Sequence, residues 1–232
     1  MITCQWNKLV VCQPQFNTQR MQALLCDLDS AMQQPIKVLK DDPTSTVVIL
    51  NIDTQPIVVK RANTKGYLHY LRRLFCTSRA KINWYFAHRL QSASIKTFNP
   101  IAYIEERFGP LKKRSYLICS LIKGIDALQF FSDPIYQASW EKVARNIVDM
   151  IQKLAAKKLS HRDLNLSNII LVDEEPYLID LDSMRKYNRP QWAKTRLHEV
   201  KRFMENWQDY PAISPKVAEI FRHCFKEQGL LC

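Results

Sequence analysis

The chain has 232 residues, 47% of them hydrophobic, enough to bury a sizeable core as one compact unit of two small lobes without a disordered tail. Its apolar runs, such as Val47 to Leu50 and Ile169 to Val172, are far too short to span a bilayer, and Met1 to Val11 lacks a basic region followed by an apolar core. With a net charge of +12 and seven cysteines, odd in number and forming no C-x-x-C pair, the composition predicts a soluble or peripheral protein with reduced cytosolic thiols, not a disulfide framework.

In chain order, Asn17 or Thr18 can cap a helix in which Met21, Leu24, Leu25 and Leu28 recur at helical spacing. Three β-like runs follow, Ile36 to Lys40, Thr46 to Ile52 and Ile57 to Lys60. They are separated by Asp41-Asp42-Pro43-Thr44-Ser45 and by Thr54-Gln55-Pro56, and they read as a meander. In a kinase the first of these turns would be the glycine-rich lid over the phosphates. Here it has two aspartates and no glycine, although its backbone could still donate N–H groups. Lys60 closes Val58-Val59-Lys60, which echoes V-A-I-K, where a strand lysine reaches the ATP phosphates; a surface lysine is the plainer alternative. A kinase positions that lysine with a glutamate on the next helix, yet the helix-like segment Ser78 to Gln91 has no acidic residue. Either another group holds Lys60 or it meets the nucleotide directly. Glu105 and Glu106, beyond Asn99-Pro100, come too late for that helix and suit a following strand.

Between Asp53 and Glu105 there is no acidic residue, while Lys60, Arg61, Lys65, Arg72, Arg73, Arg79, Lys81, Arg89 and Lys96 supply nine positive charges. Such a block predicts an anionic partner: a phosphorylated glycolipid, an anionic leaflet or an acidic protein. A solvated helix face kept soluble by its charge is the alternative. Nucleic acid ranks lower because no finger, RNP or similar motif accompanies the charge.

Tyr116 to Ile122 is a further apolar run, ending in Lys123-Gly124 where a linker between lobes would offer backbone groups to adenine; Leu121, Ile122 and Lys123 are its candidates. Trp140 to Lys157 then keeps helical spacing through Val143, Ile147, Met150, Ile151 and Leu154 and delivers the chain to His161. There the sequence reads His161-Arg162-Asp163-Leu164-Asn165-Leu166-Ser167-Asn168, and Asp180 follows twelve residues later in Leu178-Ile179-Asp180-Leu181-Asp182. Phosphoryl transfer from Mg-ATP needs a carboxylate to orient and deprotonate the acceptor hydroxyl and two oxygen ligands to hold metal against the phosphates. Asp163 fits the base and Asn168 and Asp180 the ligands, the second carried back by an apolar hairpin, Ile169 to Ile179. Isolated Asp and Asn between apolar runs are usually turn residues, but the combined spacing favours phosphotransfer. Asp182 stands where a protein kinase has the glycine of D-F-G, and it suits a third carboxylate or a strand end. His161 is expected to brace the loop. Beyond Asp182 the pattern is of two or more helices broken at Pro190, Pro211 and Pro215.

The chain resembles the lipopolysaccharide kinase (Kdo/WaaP) family. The resemblance is carried by Val58-Val59-Lys60-Arg61-Ala62-Asn63 with Lys65-Gly66, Leu71-Arg72-Arg73, Ser78-Arg79-Ala80, and Trp84 with Ala87-His88-Arg89-Leu90. Pro100 to Glu105, Arg114-Ser115-Tyr116-Leu117, the His161 loop and Leu178 to Asp182 continue it. The resemblance implies an α+β, protein-kinase-like two-lobed fold, with a small antiparallel sheet in an N-lobe of roughly residues 1–120 and a mostly helical C-lobe over 121–232. It also implies ATP and Mg2+ as cofactors, Lys60, Asp163, Asn168 and Asp180 as the ATP-lysine, base and metal ligands, and a heptose or Kdo hydroxyl of the lipopolysaccharide inner core as acceptor. Such an acceptor is a polyanionic amphiphile at the cytoplasmic face of the inner membrane, which suits the basic block and peripheral binding. A small atypical Ser/Thr protein kinase is the enzymatic alternative, opposed by the lack of A-P-E and of an evident activation loop. A kinase-fold binding module without catalysis is the other.

Overall fold

Val48, Leu50, Ile57 and Val59 are buried and alternate with more exposed neighbours, the period-two pattern of strands packed on one face. These strands belong to a seven-stranded sheet in a computed structural model that describes residues 2–5, 7–52, 54–63, 76–108, 111–205, 213 and 215–231. The chain forms two compact units, one of Met1–His88 and Phe98–Leu121, the other of Arg89–Thr97 and Ile122–Cys232.

In the first unit the sheet runs β1 (Ile2–Gln5), β2 (Lys8–Cys12), β6 (Pro100–Phe108), β7 (Leu111–Ser120), β5 (Gln55–Ala62), β4 (Ser45–Ile52), β3 (Lys37–Asp42). All its neighbours are antiparallel. The meander read from the sequence is β3 to β5; β1 and β2 widen the sheet beyond it. One face packs Val48, Leu50, Ile57, Val59, Ala102, Ile104 and Ile118 against Met21 and Leu25 of α1 (Gln19–Cys26) and Leu28 and Met32 of α2 (Leu28–Met32). Each such aliphatic side chain contributes about 1.5–3 kcal/mol by leaving water. The helical spacing through Leu28 covers two helices. Thr18 Oγ1 accepts from Met21 N at 3.2 Å to start α1, and Asp27, outside helical geometry, accepts from Ser30 N at 3.3 Å to start α2.

On the same side a polar cluster fastens α2 to the sheet. Asp29 pairs with Arg61 at 3.0 Å and Arg114 at 2.8 Å and accepts from the Tyr116 hydroxyl at 3.0 Å. Burial alone would raise the Asp29 carboxyl, but the bonds from Arg61 and Tyr116 and the two guanidinium charges hold it below the usual carboxylate range.

The second unit carries α4 (Ala127–Ser132), α5 (Trp140–Ala156), α6 (Arg189–Glu205) and α7 (Pro215–Glu227). In α5, Val143, Ile147, Met150, Ile151 and Leu154 are buried at helical spacing. Beside it Phe221 of α7 meets Phe131 and Phe203 edge-on, with ring centroids 5.2 and 5.4 Å away. Pro190 and Pro215 lie in the first turns of α6 and α7, where a missing N–H is tolerated, and so they start these helices; Pro211 is outside the described residues. Two small sheets complete the unit: β11 (Glu175–Leu178), β10 (Ile169–Val172) and β8 (Ile125–Asp126) in one, β9 (Leu159–Ser160) and β12 (Arg185–Lys186) in the other. Gly124 precedes β8 because a side chain there has no room: a Cβ would lie 2.2 Å from Leu171 O. Among the described residues no helix is long and apolar enough to cross a membrane, and Cys26, Cys119 and Cys224 are free thiols.

Candidate active site

Strand β9 ends at Ser160 and delivers the chain to His161, whose ring is fully buried. Its Nε2 lies 2.9 Å from Ile179 O; a carbonyl only accepts, so Nε2 carries the proton, and buried Nδ1 has no partner among the described residues. The imidazole therefore acts as a brace between the loop and the residue before Asp180. Asn165 Oδ1 accepts from Asn168 N at 3.0 Å and Asn168 Nδ2 donates to Asp163 O at 2.8 Å. With its amide nitrogen engaged in this way, Asn168 keeps Oδ1 as the end able to meet a cation.

The hairpin of β10 and β11 pairs Ile169 with Leu178, and Ile179 N donates to Asn168 O at 3.0 Å, so Asn168 and Asp180 flank its open end. Lys96 O and Thr97 Oγ1 bind Leu178 N and O at 3.0 and 2.6 Å and fasten the same end. Asp180 adopts the left-handed conformation, φ 56° and ψ 60°, a geometry that costs a non-glycine residue on the order of 1 kcal/mol and persists where surroundings impose it. Asp182 sits in the following 3-10 turn and accepts from Ser183 Oγ at 3.4 Å. The structure thus gathers Asp163, Asn168 and Asp180 in the second unit. An amide oxygen and a carboxylate are hard donors suited to Mg2+ completed by phosphate oxygens. Among the described residues no group of three or more His, Cys, Asp or Glu is placed to hold a metal by itself.

Two residues of α6 that the sequence reading did not single out hold this loop. Glu199 Oε1 accepts from His161 N at 2.6 Å, Arg162 N at 2.9 Å and Ser160 Oγ at 3.1 Å. Burial pushes its carboxyl above the usual range, opposed by these bonds. Arg202 Nη1 donates to Arg162 O at 3.0 Å, and its Nη2 lies 3.8 Å from Asp163 Oδ1, both side chains being about half exposed. Arg162, at φ 65°, is held from both sides of its backbone. No local pattern marks Glu199, because its partners are 37 to 39 residues away.

In the first unit Lys60 lies on β5, beside Leu117 of β7, which in turn pairs with Tyr103 of β6. Val59 faces the core, so Lys60 points to the opposite face of the sheet. Cys119 shares that face, and burial pushes its thiol up to about 12 despite the charge of Lys60. Glu105 shares it too and is fully buried, bound by Arg107 and, at 2.6 Å, by Ser78 Oγ. Ser78 also accepts from Lys81 N at 3.2 Å at the start of α3 (Arg79–Ser92). Ser-Arg-Ala is therefore a helix start anchored to a strand glutamate, and Trp84 of the same helix packs its ring at a tilt against Tyr103, with centroids 5.4 Å apart.

The glycine-free turn proves self-contained: Asp42 Oδ1 accepts from Thr44 N at 2.7 Å, Thr44 Oγ1 at 2.6 Å and Ser45 N at 2.8 Å. The N–H groups a phosphate lid would offer are thus already taken. Bonds from Thr44 and Lys40 hold the Asp42 carboxyl well below its usual range. Leu121 ends the first unit and Ile122 and Lys123 open the second. Lys65, Gly66 and Leu71-Arg72-Arg73 lie outside the described residues.

A family model, lipopolysaccharide kinase (Kdo/WaaP), matches residues 47–219, which includes Lys60, the His161 loop, Asp180 and α6. The chain belongs to the lipopolysaccharide kinase (Kdo/WaaP) family. It is 26% identical over 164 residues to the 3-deoxy-D-manno-octulosonic acid kinase of Vibrio cholerae serotype O1, covering 63% of this chain and 68% of that protein. A solved structure of WaaP in complex with acyl carrier protein matches with a TM-score of 0.57 and 17% identity over 96% of this chain and 99% of that one. At that identity the likeness speaks for the fold, which is α+β and kinase-like, with the antiparallel sheet in the first unit and most of the helix in the second. Membership in a kinase family makes the chain a phosphotransferase of lipopolysaccharide biosynthesis.

Proposed function

We propose that this lipopolysaccharide kinase transfers the γ-phosphoryl group of Mg-ATP to a heptose or Kdo hydroxyl of the inner core, with its two units acting as one kinase-like domain. What supports this reading above all is the loop in which Asn168 Nδ2 binds Asp163 O while the Asp163 carboxylate stays about half exposed toward solvent. Asp163 orients the acceptor hydroxyl and takes its proton as the new P–O bond forms. Asn168, through Oδ1, and Asp180 would hold Mg2+, which when bound offsets charge on the transferred phosphate. Lys60 pairs with the phosphates, and the backbone of Leu121, Ile122 and Lys123 receives adenine. With the Thr44 and Ser45 N–H groups engaged by Asp42, grip on the phosphates falls to Lys60 and the metal rather than to the turn. The basic stretch from Lys60 to Lys96, apart from Arg61 and Lys96 with their carboxylate partners, rests on the anionic cytoplasmic face of the inner membrane and the acceptor's phosphates, each remaining side chain contributing about 1 kcal/mol near such a surface. A protein partner with an acidic surface would use the same stretch, and the WaaP structure with acyl carrier protein shows a protein complex in a related fold.

The test is transfer of labelled γ-phosphate from Mg-ATP to inner core stripped of its phosphates, beside a generic protein substrate and the Asp163→Asn variant. Label on the glycan that disappears in the variant is the expected result. Label on protein alone would replace this reading with a Ser/Thr protein kinase. No label on either, with Mg-ATP still bound, would favour a binding module.

A further inference from the structure

Beside the catalytic loop the second unit holds a cavity of about 350 Å3, at the small end of ligand pockets. Arg162, His198 and Arg202 line it together with the hydroxyl-bearing Tyr187 and Thr195. Among the described residues that line it, the one carboxylate, Glu199, has Oε1 committed to three donors of the loop. The side chains of Arg162 and His198 form no hydrogen bond or ion pair with the described residues, whereas the Arg162 backbone is gripped by Glu199 at its N–H and Arg202 at its C=O. The rigid backbone thus presents a guanidinium whose planar fork matches a carboxylate or a phosphate. Arg202 links this cavity to the proposed base, its Nη2 being 3.8 Å from Asp163 Oδ1.

Resting on the sugar kinase reading, we infer that this cavity is an anion subsite for the acceptor: Arg162, His198 and Arg202 seat a carboxylate or phosphate carried by a sugar, and so direct the hydroxyl of that sugar or its neighbour to Asp163. The subsite selects anionic saccharides over neutral ones of the same size, because a neutral sugar leaves the Arg162 guanidinium without a counter-charge. Arg162 and Arg202 here determine specificity, while Asp163 performs the chemistry.

The experiment measures transfer by wild type, Arg162→Met and His198→Gln on three acceptors: inner core bearing both sugar carboxylates and phosphates, the same core with its carboxylates converted to methyl esters, and the same core dephosphorylated. Expected is a fall of at least tenfold in kcat/KM for Arg162→Met on the charged acceptor, with the KM for ATP held and the thermal midpoint unchanged. On the acceptor lacking the recognised anion, wild type falls to the level of the variant and the substitution has no further effect. The acceptor that shows this identifies carboxylate or phosphate as the ligand. Equal losses on all three acceptors would overturn the subsite. Calorimetric titration of free 3-deoxy-D-manno-octulosonic acid and of a hexose phosphate, without ATP, separates this inference from the sugar kinase reading. Binding weakened tenfold by Arg162→Met alongside no transfer by wild type would retain the subsite and discard the sugar kinase. Binding of neither compound by wild type, or binding that ignores both substitutions, would discard the subsite even where transfer is seen.

Discussion

The β3–β4 turn of the first unit and the His161 loop of the second occupy corresponding roles in a kinase, one over the phosphates and one under the acceptor, yet they have kept different things. The loop retains the kinase residues at kinase spacing and is held by groups from three other segments: Glu199 and Arg202, Ile179, and the hairpin end fastened by Lys96 and Thr97. The turn has no glycine, and Asp42 folds back on its N–H groups. In the proposed mechanism a base and two metal ligands must meet reacting atoms at fixed distances, which constrains their identities closely. Charge on a polyphosphate can be offset from several directions, so the lid tolerates replacement.

The comparison breaks most sharply at Asp180. Asp180→Asn should lower transfer about a hundredfold or more, since metal contributes several kcal/mol of charge stabilisation, and should remove the difference between Mg-ATP and ATP with chelator in nucleotide binding. Binding that stays magnesium-dependent in this variant would displace Asp180 as a ligand. Next, Glu199→Ala leaves the N–H groups of His161 and Arg162 without acceptors and should cost about 2–5 kcal/mol in a denaturant titration. Glu199→Gln keeps an acceptor oxygen and should lose less than half as much; equal losses would mean that charge, not acceptance, holds the loop.

On the other side of the comparison, Asp42→Ala should lower the thermal midpoint less than Glu199→Ala and leave the Kd for Mg-ATP within about twofold, because the turn does not grip phosphate. A large loss of affinity would restore the lid. The smallest effect expected is on acid stability. The Asp29 carboxyl titrates below its unfolded value of about 3.9, so its contribution is present above that pH and is lost as pH falls through the folded pKa. Asp29→Asn should therefore lower stability above about pH 4 and flatten its decline below that pH, where the two proteins converge; an unchanged acid limb would assign the decline to other carboxylates.

The resemblance stated from the motifs agrees with the family match, and the reason is visible in where the motif residues stand. Helix α5, the hairpin of β10 and β11 and the strands β3 to β5 were readable because their signals, a repeat of 3.6 or 2 residues closed by turn residues, are local. The spacing of Asp163, Asn168 and Asp180 is likewise local: five residues of loop and one hairpin. Glu105 was assignable to a strand, but its burial against Ser78, 27 residues earlier, was not. The break between α1 and α2 escaped the reading because the apolar spacing runs through it to Leu28, and only the backbone geometry of Asp27, an N-cap residue, shows where the second helix starts.

By itself, then, the sequence determined which groups the proposed chemistry can draw on, Asp163, Asn168, Asp180 and the strand residue Lys60 in kinase order, because they are set by short spacings along one chain. Only the tertiary structure decided what holds and surrounds them, namely the grip of Glu199 and Arg202 on the loop, the closure of the turn by Asp42 and the cationic cavity beside Asp163. For the loop and the cavity, the partners are brought together by the packing of α6 from tens of residues away, and no periodicity in the chain encodes such a meeting. For the turn, an aspartate looks the same in a sequence whether its carboxylate faces solvent or its own backbone, and only the folded geometry tells the two apart.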